Sequence, residues 1–131
     1  MRRVWMAAGL ALVTALAAAE VNQSWLGKVP AAERARVNPY GGHTDAVAAG
    51  GRLYAEHCEA CHGADLNGRR GRPSLLAPVV QGAADGELFW LLRNGDLRHG
   101  MPSWSGLPEQ QRWEIVAYIK AAGAGAKAQQ P

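Results

Sequence analysis

Two cysteines and an adjacent histidine form the most chemically informative cluster in the sequence. They occur as Cys58-Glu59-Ala60-Cys61-His62, a C-x-x-C-H pattern, and the 131 residues contain no other cysteine. This pattern is typical of c-type haem attachment, in which the two thiols form thioether bonds with the haem vinyl groups. The two-residue gap lets both sulfurs reach one porphyrin edge, and His62 can then place its imidazole under the iron. The pattern predicts one covalently bound haem c.

Three other uses of the cysteines are less consistent with the sequence. A thioredoxin-like C-x-x-C motif belongs beside a βαβ pattern, whereas the flanks here are helical in pattern. A structural zinc site needs four ligands, so His43, His57 or His99 would have to join the pair at unusual spacing. A disulfide suits an oxidising compartment, but it leaves the histidine of the motif without a role.

The sixth iron ligand is predicted to be Met101. The other two methionines lie in the first six residues. Met101 lies in a turn-rich stretch where Gly100 permits close approach of the backbone and Pro102 stiffens it. A lone methionine usually fills a gap in a core, but this loop suits a thioether held against iron, and His/Met ligation suits electron transfer. His99 is the rival ligand, and a surface position is its simpler interpretation. His57, the residue before Cys58, is expected to face solvent.

The N-terminus has the pattern of an export signal. A short basic start precedes sixteen uncharged residues, 4–19, and small residues stand just before Glu20. This arrangement is typical of a cleavable secretory signal peptide and is shorter than the roughly 20 residues of a spanning helix. We therefore expect a periplasmic protein without stable membrane insertion after cleavage. An uncleaved signal would instead leave the protein anchored in the membrane.

The charge of the chain excludes one class of partner. Without residues 1–19, the number of Lys and Arg falls from 14 to 12, against 11 acidic residues. A nearly neutral chain gives no electrostatic reason to expect nucleic-acid binding. The one basic cluster is Arg69, Arg70 and Arg72 in a Gly-rich stretch. A solvated loop is its simplest interpretation, and a docking patch or a partner for the haem propionates is the alternative.

Three helices are expected to position these residues, and no segment has the period-two alternation of a strand. The first helix begins at a capping residue, Thr44 or Asp45, and leads directly into the C-x-x-C-H motif. The two long connections suit loops that wrap a flat cofactor, because long loops in compact domains are usually functional. Apolar residues at helical spacing predict helices over about residues 44–57, 85–95 and 108–123, with Gly95 and Gly123 ending the last two. The connections span residues 63–84 and 95–107.

With these motifs at this spacing, the chain resembles the class I monohaem cytochromes c over roughly residues 44–123. In that family a glycine, an aromatic residue and the first cysteine follow one another at intervals of four, as Gly50, Tyr54 and Cys58 do here. The family's glycine lets the first and last helices cross closely, beside an aromatic residue of the last helix, here Tyr118 or Trp113. The resemblance implies an all-α fold of three main helices and long loops around one covalent haem.

The resemblance also implies roles for residues outside the motif. Pro73, eleven residues after His62, matches the family proline whose carbonyl accepts the hydrogen bond of the proximal imidazole Nδ1. Such a contact fixes the tautomer and tunes the iron. Met101 matches the axial methionine of the family. Trp104 and Arg98 are candidates for contacts with the haem edge or the propionates.

The predicted function is that of a one-electron carrier rather than an enzyme. We expect it to move electrons between a donor dehydrogenase and an acceptor oxidase or cytochrome. The segment from Asp85 through Met101-Pro102, followed by Leu107-Pro-Glu, is similar to that of cytochromes that accept electrons from periplasmic quinoprotein dehydrogenases or feed terminal oxidases. Two alternatives stay open: a fixed haem subunit of a larger oxidoreductase, and a ligand-binding haem sensor if Met101 is displaceable.

The sequence thus divides into four expected parts. They are a signal peptide (residues 1–19), an irregular N-terminal arm (residues 20–43), a cytochrome c domain (residues 44–123) and a flexible tail (residues 124–131).

Overall fold

The prediction of an all-α fold is confirmed. The computed structural model describes residues 23–131, so the expected signal peptide lies outside the described residues. In that range there is no strand, and one isolated antiparallel bridge joins Asp96 to Met101. The helices are α1 (Ala31–Arg34), α2 (Thr44–His57), α3 (Glu59–His62), α4 (Pro78–Gly82), α5 (Asp85–Asn94) and α6 (Glu109–Ala128), with 3-10 helices at Leu26–Lys28 and Leu97–His99.

A glycine allows α2 and α6 to cross in close contact. A β-carbon at Gly50 would lie 1.9 Å from the carbonyl oxygen of Glu114 and 2.9 Å from the β-carbon of Tyr118. No side chain larger than hydrogen fits there without displacing backbone. One turn later, the rings of Tyr54 and Tyr118 pack with centroids 5.3 Å apart. Of the two aromatic candidates from the last helix, Tyr118 therefore lies at the crossing.

The other candidate, Trp113, joins α6 to α5. Its ring stacks on that of Phe89, with centroids 3.9 Å apart, and both side chains are buried. The guanidinium carbon of Arg36 lies 4.6 Å from the centroid of Phe89, a cation–π geometry. The same helix contributes Leu88, Leu91 and Leu92 to the lining of an interior cavity.

A short helix, α4, interrupts the first long connection and is held by α6. Lys120 of α6 donates hydrogen bonds to the carbonyl oxygens of Gln81, at 2.7 Å, and of Ala83. These carbonyls lie at the end of α4, where helices leave acceptors without an intrahelical partner. Burial of the ammonium group lowers the pKa of Lys120. Sequence patterns did not predict this helix because its partners come from a distant segment.

Two helix ends differ from the sequence prediction. The last helix continues to Ala128, so residues 124–128 are helical rather than part of a flexible tail. Alanine is the strongest helix former, and Gly123 does not adopt the positive φ that ends a helix. At the other end of the domain, His43 is the N-cap residue of α2. The prediction that Thr44 or Asp45 caps this helix is therefore wrong.

The segment before α2, predicted as an irregular arm, packs onto α5 and α6. Trp25 and Val29 are each 5% exposed and belong to the hydrophobic core. A β-carbon at Gly86 would lie 2.0 Å from the carbonyl oxygen of Glu33, so α1 rests directly on the first turn of α5. The buried Asn38 side chain donates a hydrogen bond of 2.9 Å to the carbonyl oxygen of Trp113. No helix among residues 23–131 has both the length and the apolar character needed to cross a membrane.

Candidate functional site

One cavity of about 860 Å³ opens among the helices and the two long connections. We call residues 63–77 the proximal loop and residues 95–107 the methionine loop, and both contribute to its lining. The remaining wall is largely apolar, with leucines of α5 joined by Val80 and Ile119. This volume lies within the range of about 300–1,000 Å³ that is usual for small-molecule and cofactor sites.

Most of the site residues predicted from the sequence meet in this cavity. Arg98 differs, because it is solvent-exposed and is not among the residues that line the cavity in the described part of the chain. The exposed Arg69, Arg70 and Arg72 of the basic cluster do line it, and a partnership of this cluster with the haem propionates stays a prediction. The predicted residues that line the cavity are Cys58, Cys61, His62, Pro73, Met101 and Trp104.

The C-x-x-C-H motif begins where α2 ends. The backbone N–H of Cys58 donates to the carbonyl oxygen of Tyr54 at 2.8 Å, and α3 follows at once. Cys58 is buried and Cys61 is exposed, so both thiols border the cavity at different depths. Burial, with a smaller contribution from Cys61, raises the pKa of Cys58 to about 11, which keeps this thiol protonated at neutral pH. The Tyr54 hydroxyl donates to the carbonyl oxygen of Gly63 at 2.7 Å and holds the turn after the motif.

The imidazole of His62 is oriented by the proximal loop. Its Nδ1 lies 3.0 Å from the carbonyl oxygen of Pro73, so the neutral ring carries its proton on Nδ1 and leaves Nε2 free to bind a metal. Burial lowers the pKa of His62 although the Pro73 carbonyl raises it, and the nearby Arg72 charge lowers it further. The neutral ring that iron ligation requires is therefore the favoured form. Gly68, with a φ of 84°, donates its N–H to the His62 carbonyl oxygen at 2.8 Å.

The methionine loop is closed by reciprocal backbone hydrogen bonds. Asp96 and Met101 exchange N–H···O bonds of 2.9 and 3.0 Å. Gly95 has a φ of 70°, and a β-carbon there would lie 2.8 Å from the Met101 carbonyl oxygen. The Asp96 carboxylate lies 2.8 Å from Nδ1 of His99. Arg72 of the proximal loop donates to the His99 carbonyl oxygen at 3.3 Å, which joins the two loops.

Two distant helices hold the second half of the methionine loop. The Trp104 N–H donates to the carbonyl oxygen of Leu92 in α5 at 2.8 Å. The buried Arg112 of α6 donates from one nitrogen, Nη1, to the carbonyl oxygens of Trp104, Ser105 and Leu107, at 3.4, 3.1 and 2.9 Å. Hydrogen bonds from a charged donor are the stronger kind, so Arg112 fixes the loop that follows Met101.

Two aromatic side chains that line the cavity, those of His57 and Trp25, were not predicted as site residues. His57 was expected to face solvent, but its ring packs against Trp104 with centroids 5.1 Å apart and lines the cavity. The sequence feature that could have marked His57 as a cavity residue is its position next to Cys58. Trp25 lies in the N-terminal arm and also lines the cavity. No sequence pattern marks Trp25, because its position depends on how the arm packs.

The donor set matches a c-type haem. Two thiols, an imidazole with its Nδ1 engaged and a thioether all border one cavity with largely apolar walls. Imidazole and thioether are the two axial ligands of His/Met haem centres. Three or more His, Cys, Asp or Glu side chains do not come together as a metal site anywhere in residues 23–131. The structural zinc alternative therefore lacks its ligands in this part of the chain.

Comparisons with known proteins agree with this assignment. The model of a family described as cytochrome c oxidase, cbb3-type, subunit III matches residues 45–119, more than half of the chain. The chain is also similar to the cbb3-type cytochrome c oxidase subunit FixP of Bradyrhizobium sp. (strain ORS 278), with 34% identity over 84 residues. That alignment covers 60% of this chain and 28% of the relative, so the chain spans less than a third of FixP. No solved structure matches it.

The predicted resemblance to c-type cytochromes and the predicted cofactor, covalently bound haem c, are thereby confirmed. The narrower likeness to cytochromes serving quinoprotein dehydrogenases stays a prediction. The helical fold, the C-x-x-C-H motif at the cavity and the match over residues 45–119 lead to one conclusion: this chain belongs to the family of cbb3-type cytochrome c oxidase subunit III, whose members are c-type cytochromes.

Proposed function

We propose that this protein is a one-electron carrier that holds one haem c on Cys58 and Cys61, with His62 and Met101 as axial ligands. The observation that supports this proposal is the meeting of both thiols, the oriented imidazole and the methionine loop in one cavity. A haem bound there supplies a reversible one-electron iron couple. The protein itself converts no substrate in this role, so we do not assign it an enzymatic activity.

Each part of the cavity has a separate task in this proposal. Pro73 keeps the His62 proton on Nδ1, and the hydrogen bonds around Met101 keep its thioether in a fixed place. Two rigid ligands limit the change of geometry between oxidation states, which favours fast electron transfer. The leucines of α5 exclude water, and burial and ligand identity are the means by which a protein sets the potential of a haem.

The location and the partners belong to the same proposal. Residues 1–19 act as a signal peptide and direct the protein to the periplasm, where c-type haem is attached after translocation. The partners are redox proteins, a donor dehydrogenase and an acceptor oxidase or cytochrome. Contacts with them are brief, because redox encounters use small interfaces, below about 1,200 Å² of buried surface.

A fixed haem subunit of a larger oxidoreductase is the second candidate. The description of the matching family and the name of the FixP relative, both of cbb3-type oxidase subunits, favour it. The two candidates share the haem site and differ in whether the protein leaves its partner. Purification from its native cells after mild detergent extraction separates them. A carrier elutes alone at its own mass, and a subunit elutes with an oxidase and its haem-copper spectrum.

The haem assignment is tested with full-length protein made in cells that mature c-type haem. The purified protein is extracted with acidified organic solvent, and the haem remaining on the polypeptide is measured. We expect the wild-type protein to retain its haem and the double variant Cys58→Ala with Cys61→Ala to lose covalent haem. The matched variant Glu59→Ala, inside the same motif, should retain it. A wild-type protein without covalent haem would contradict the proposal.

A further inference from the structure

We infer that Trp25, a residue of the N-terminal arm, forms part of the haem cavity wall and raises the reduction potential by keeping water out. This inference rests on the proposed haem site. Trp25 lines the cavity and is only 5% exposed, although it lies twenty residues before the segment that matches the family. The arm thus contributes to the cofactor site of this chain from outside the matched domain.

The turn that carries Trp25 is tied to α5. The Lys28 N–H donates to the Trp25 carbonyl oxygen at 3.0 Å and closes the 3-10 turn. Arg34 then donates to the carbonyl oxygen of Leu26 at 3.3 Å, and its Nε pairs with the carboxylate of Glu87 at 2.8 Å. Since Glu87 is buried in the first turn of α5, Arg34 connects the turn of Trp25 to the helix whose leucines also line the cavity.

A second set of ion pairs holds the arm to both helices. Glu33 pairs with Arg93 of α5 at 3.0 Å and with Arg36 at 3.4 Å. Arg36 also pairs with Glu109 at the start of α6. A network of several charges resists disruption better than one exposed pair does. Trp25 is therefore fixed relative to α5 and α6 rather than resting on the surface.

The chemical consequence follows from charge and burial. Oxidised haem iron carries one more positive charge than reduced iron, and an apolar, water-free wall disfavours the more charged form. Removing the indole would admit water beside the cofactor, stabilise the oxidised form and lower the potential, since burial is one of the factors that tune haem. Replacing a residue that only packs the core would change the stability of the fold but not the reduction potential.

Val29 provides a matched control in the same arm. It is also 5% exposed and belongs to the same core, but it is not among the residues that line the cavity within the described chain. The experiment measures the midpoint potential, the melting temperature and the sulfur-to-iron absorption band of full-length holoprotein. The variants are Trp25→Ala, Trp25→Phe and Val29→Ala.

We expect all three variants to melt at a lower temperature than the wild type. Only the Trp25 variants should show a lower potential, with Trp25→Ala shifted more than Trp25→Phe and with the sulfur-to-iron band retained in both. Trp25→Phe decides the question if Trp25→Ala does not accumulate. If the Trp25 variants keep the wild-type potential, or if Val29→Ala shifts the potential equally, the inference about Trp25 is wrong and the proposed haem site is unaffected. Wild-type protein without covalent haem would overturn the proposed function as well.

Discussion

The proximal loop and the methionine loop face the same cavity, but different kinds of contact hold them. The proximal side is built from neighbours in sequence: the His62 imidazole meets Pro73 eleven residues later, and Gly68 bonds back to the His62 carbonyl. The methionine side begins with the local pair of Asp96 and Met101 and then depends on contacts from α5 and α6.

This difference predicts how each ligand responds to perturbation. A proximal ligand held by the turn after its own helix keeps its place while the rest of the domain loosens. A methionine loop held by distant helices is released first, because a region with few local contacts unfolds at a lower free-energy cost than the core does. We therefore expect changes in the helices to disturb Met101 while the covalent attachment and His62 remain.

The largest effect is expected at the crossing of α2 and α6. The helix α2 leads into the proximal ligand and α6 holds the methionine loop, so both sides of the cavity depend on this crossing. Gly50→Val places branched carbon atoms where even a β-carbon would lie 1.9 Å from the Glu114 carbonyl oxygen. We expect a loss of unfolding free energy of about 3 kcal/mol or more, at the upper end of overpacking effects. Denaturant titration of the holoprotein measures it. In the control Gly125→Ala, the added β-carbon meets no atom within 4 Å apart from the backbone of α6 itself, so α6 should gain about 0.5–1 kcal/mol. Equal effects of the two variants would contradict the account.

Arg112 tests the methionine side alone. Arg112→Leu removes the charged donor to the carbonyl oxygens of Trp104, Ser105 and Leu107. The Trp104 carbonyl keeps the backbone N–H of Leu107 at 3.1 Å, and the other two oxygens lose this partner. The expected loss of stability is about 3 kcal/mol, because hydrogen bonds to a charged group contribute about 1.5–3 kcal/mol.

The oxidised spectrum of Arg112→Leu should lose its sulfur-to-iron band at a lower temperature than the wild type, with the haem still covalently bound. Arg98→Gln, an exposed change outside the cavity lining, should stay within about 0.5 kcal/mol of the wild type. An Arg112→Leu protein whose band survives to the melting point of the domain would show that the loop does not depend on α6.

Gly68 tests the proximal side. A β-carbon at Gly68 would lie 2.3 Å from the Arg72 carbonyl oxygen and 2.9 Å from the Pro73 carbonyl carbon, so alanine there displaces the acceptor of the His62 hydrogen bond. Gly71 has a similar φ of 80° and open space around it. Gly71→Ala should cost about 1 kcal/mol for the left-handed backbone, and Gly68→Ala about 2 kcal/mol more for the clash. Thermal melts compare the stability of the two variants. A reduction potential that shifts in Gly68→Ala but not in Gly71→Ala would support the role of the hydrogen bond between His62 and Pro73.

The smallest effect concerns the ion pairs of the arm. Burial raises the pKa of Glu33, but hydrogen bonds from Arg93 and Arg36 outweigh it, so the pKa lies below its ordinary value of 4.5. A lowered pKa in the folded state means that ionised Glu33 stabilises the fold above about pH 4.5 and that this contribution is lost as the pH falls further.

The contribution of Glu33 should be about 1 kcal/mol or less, since these side chains are partly exposed to solvent. Melting temperatures of the wild type and of Glu33→Gln should therefore differ at pH 6 and converge near pH 3. A constant difference across this range would show that the ionised carboxylate is not what holds the arm.

The same contrast explains which features the sequence could predict. The attachment motif was found from its own spacing and Met101 from its turn-rich loop, whereas Pro73 was expected only from the resemblance to the class I cytochromes c. All of these residues line the cavity. The helix α2 was predicted to its last residue, and α5 to within one residue of its end, from apolar periodicity and from Gly95.

Features created by distant contacts were not predictable in this way. The helix α4 needs Lys120 from α6, and the wall position of Trp25 needs the arm to be held against α5. His57 was assigned to the surface because nothing near it in sequence reveals that Trp104 would pack on its ring. Apolar periodicity indicates only which face of a single helix is buried, whereas these positions depend on contacts between two segments of the chain.

The axial assignment of Met101 is the central claim, and the sulfur-to-iron absorption band of the oxidised protein tests it most directly. Wild type and His99→Ala should both show the band, since His99 lies against Asp96 in the same loop. Met101→Ala should keep its covalent haem, lose the band, bind carbon monoxide when reduced and have a lower potential, because a methionine ligand raises it. A band that persists in Met101→Ala, or that disappears in His99→Ala, would contradict the account.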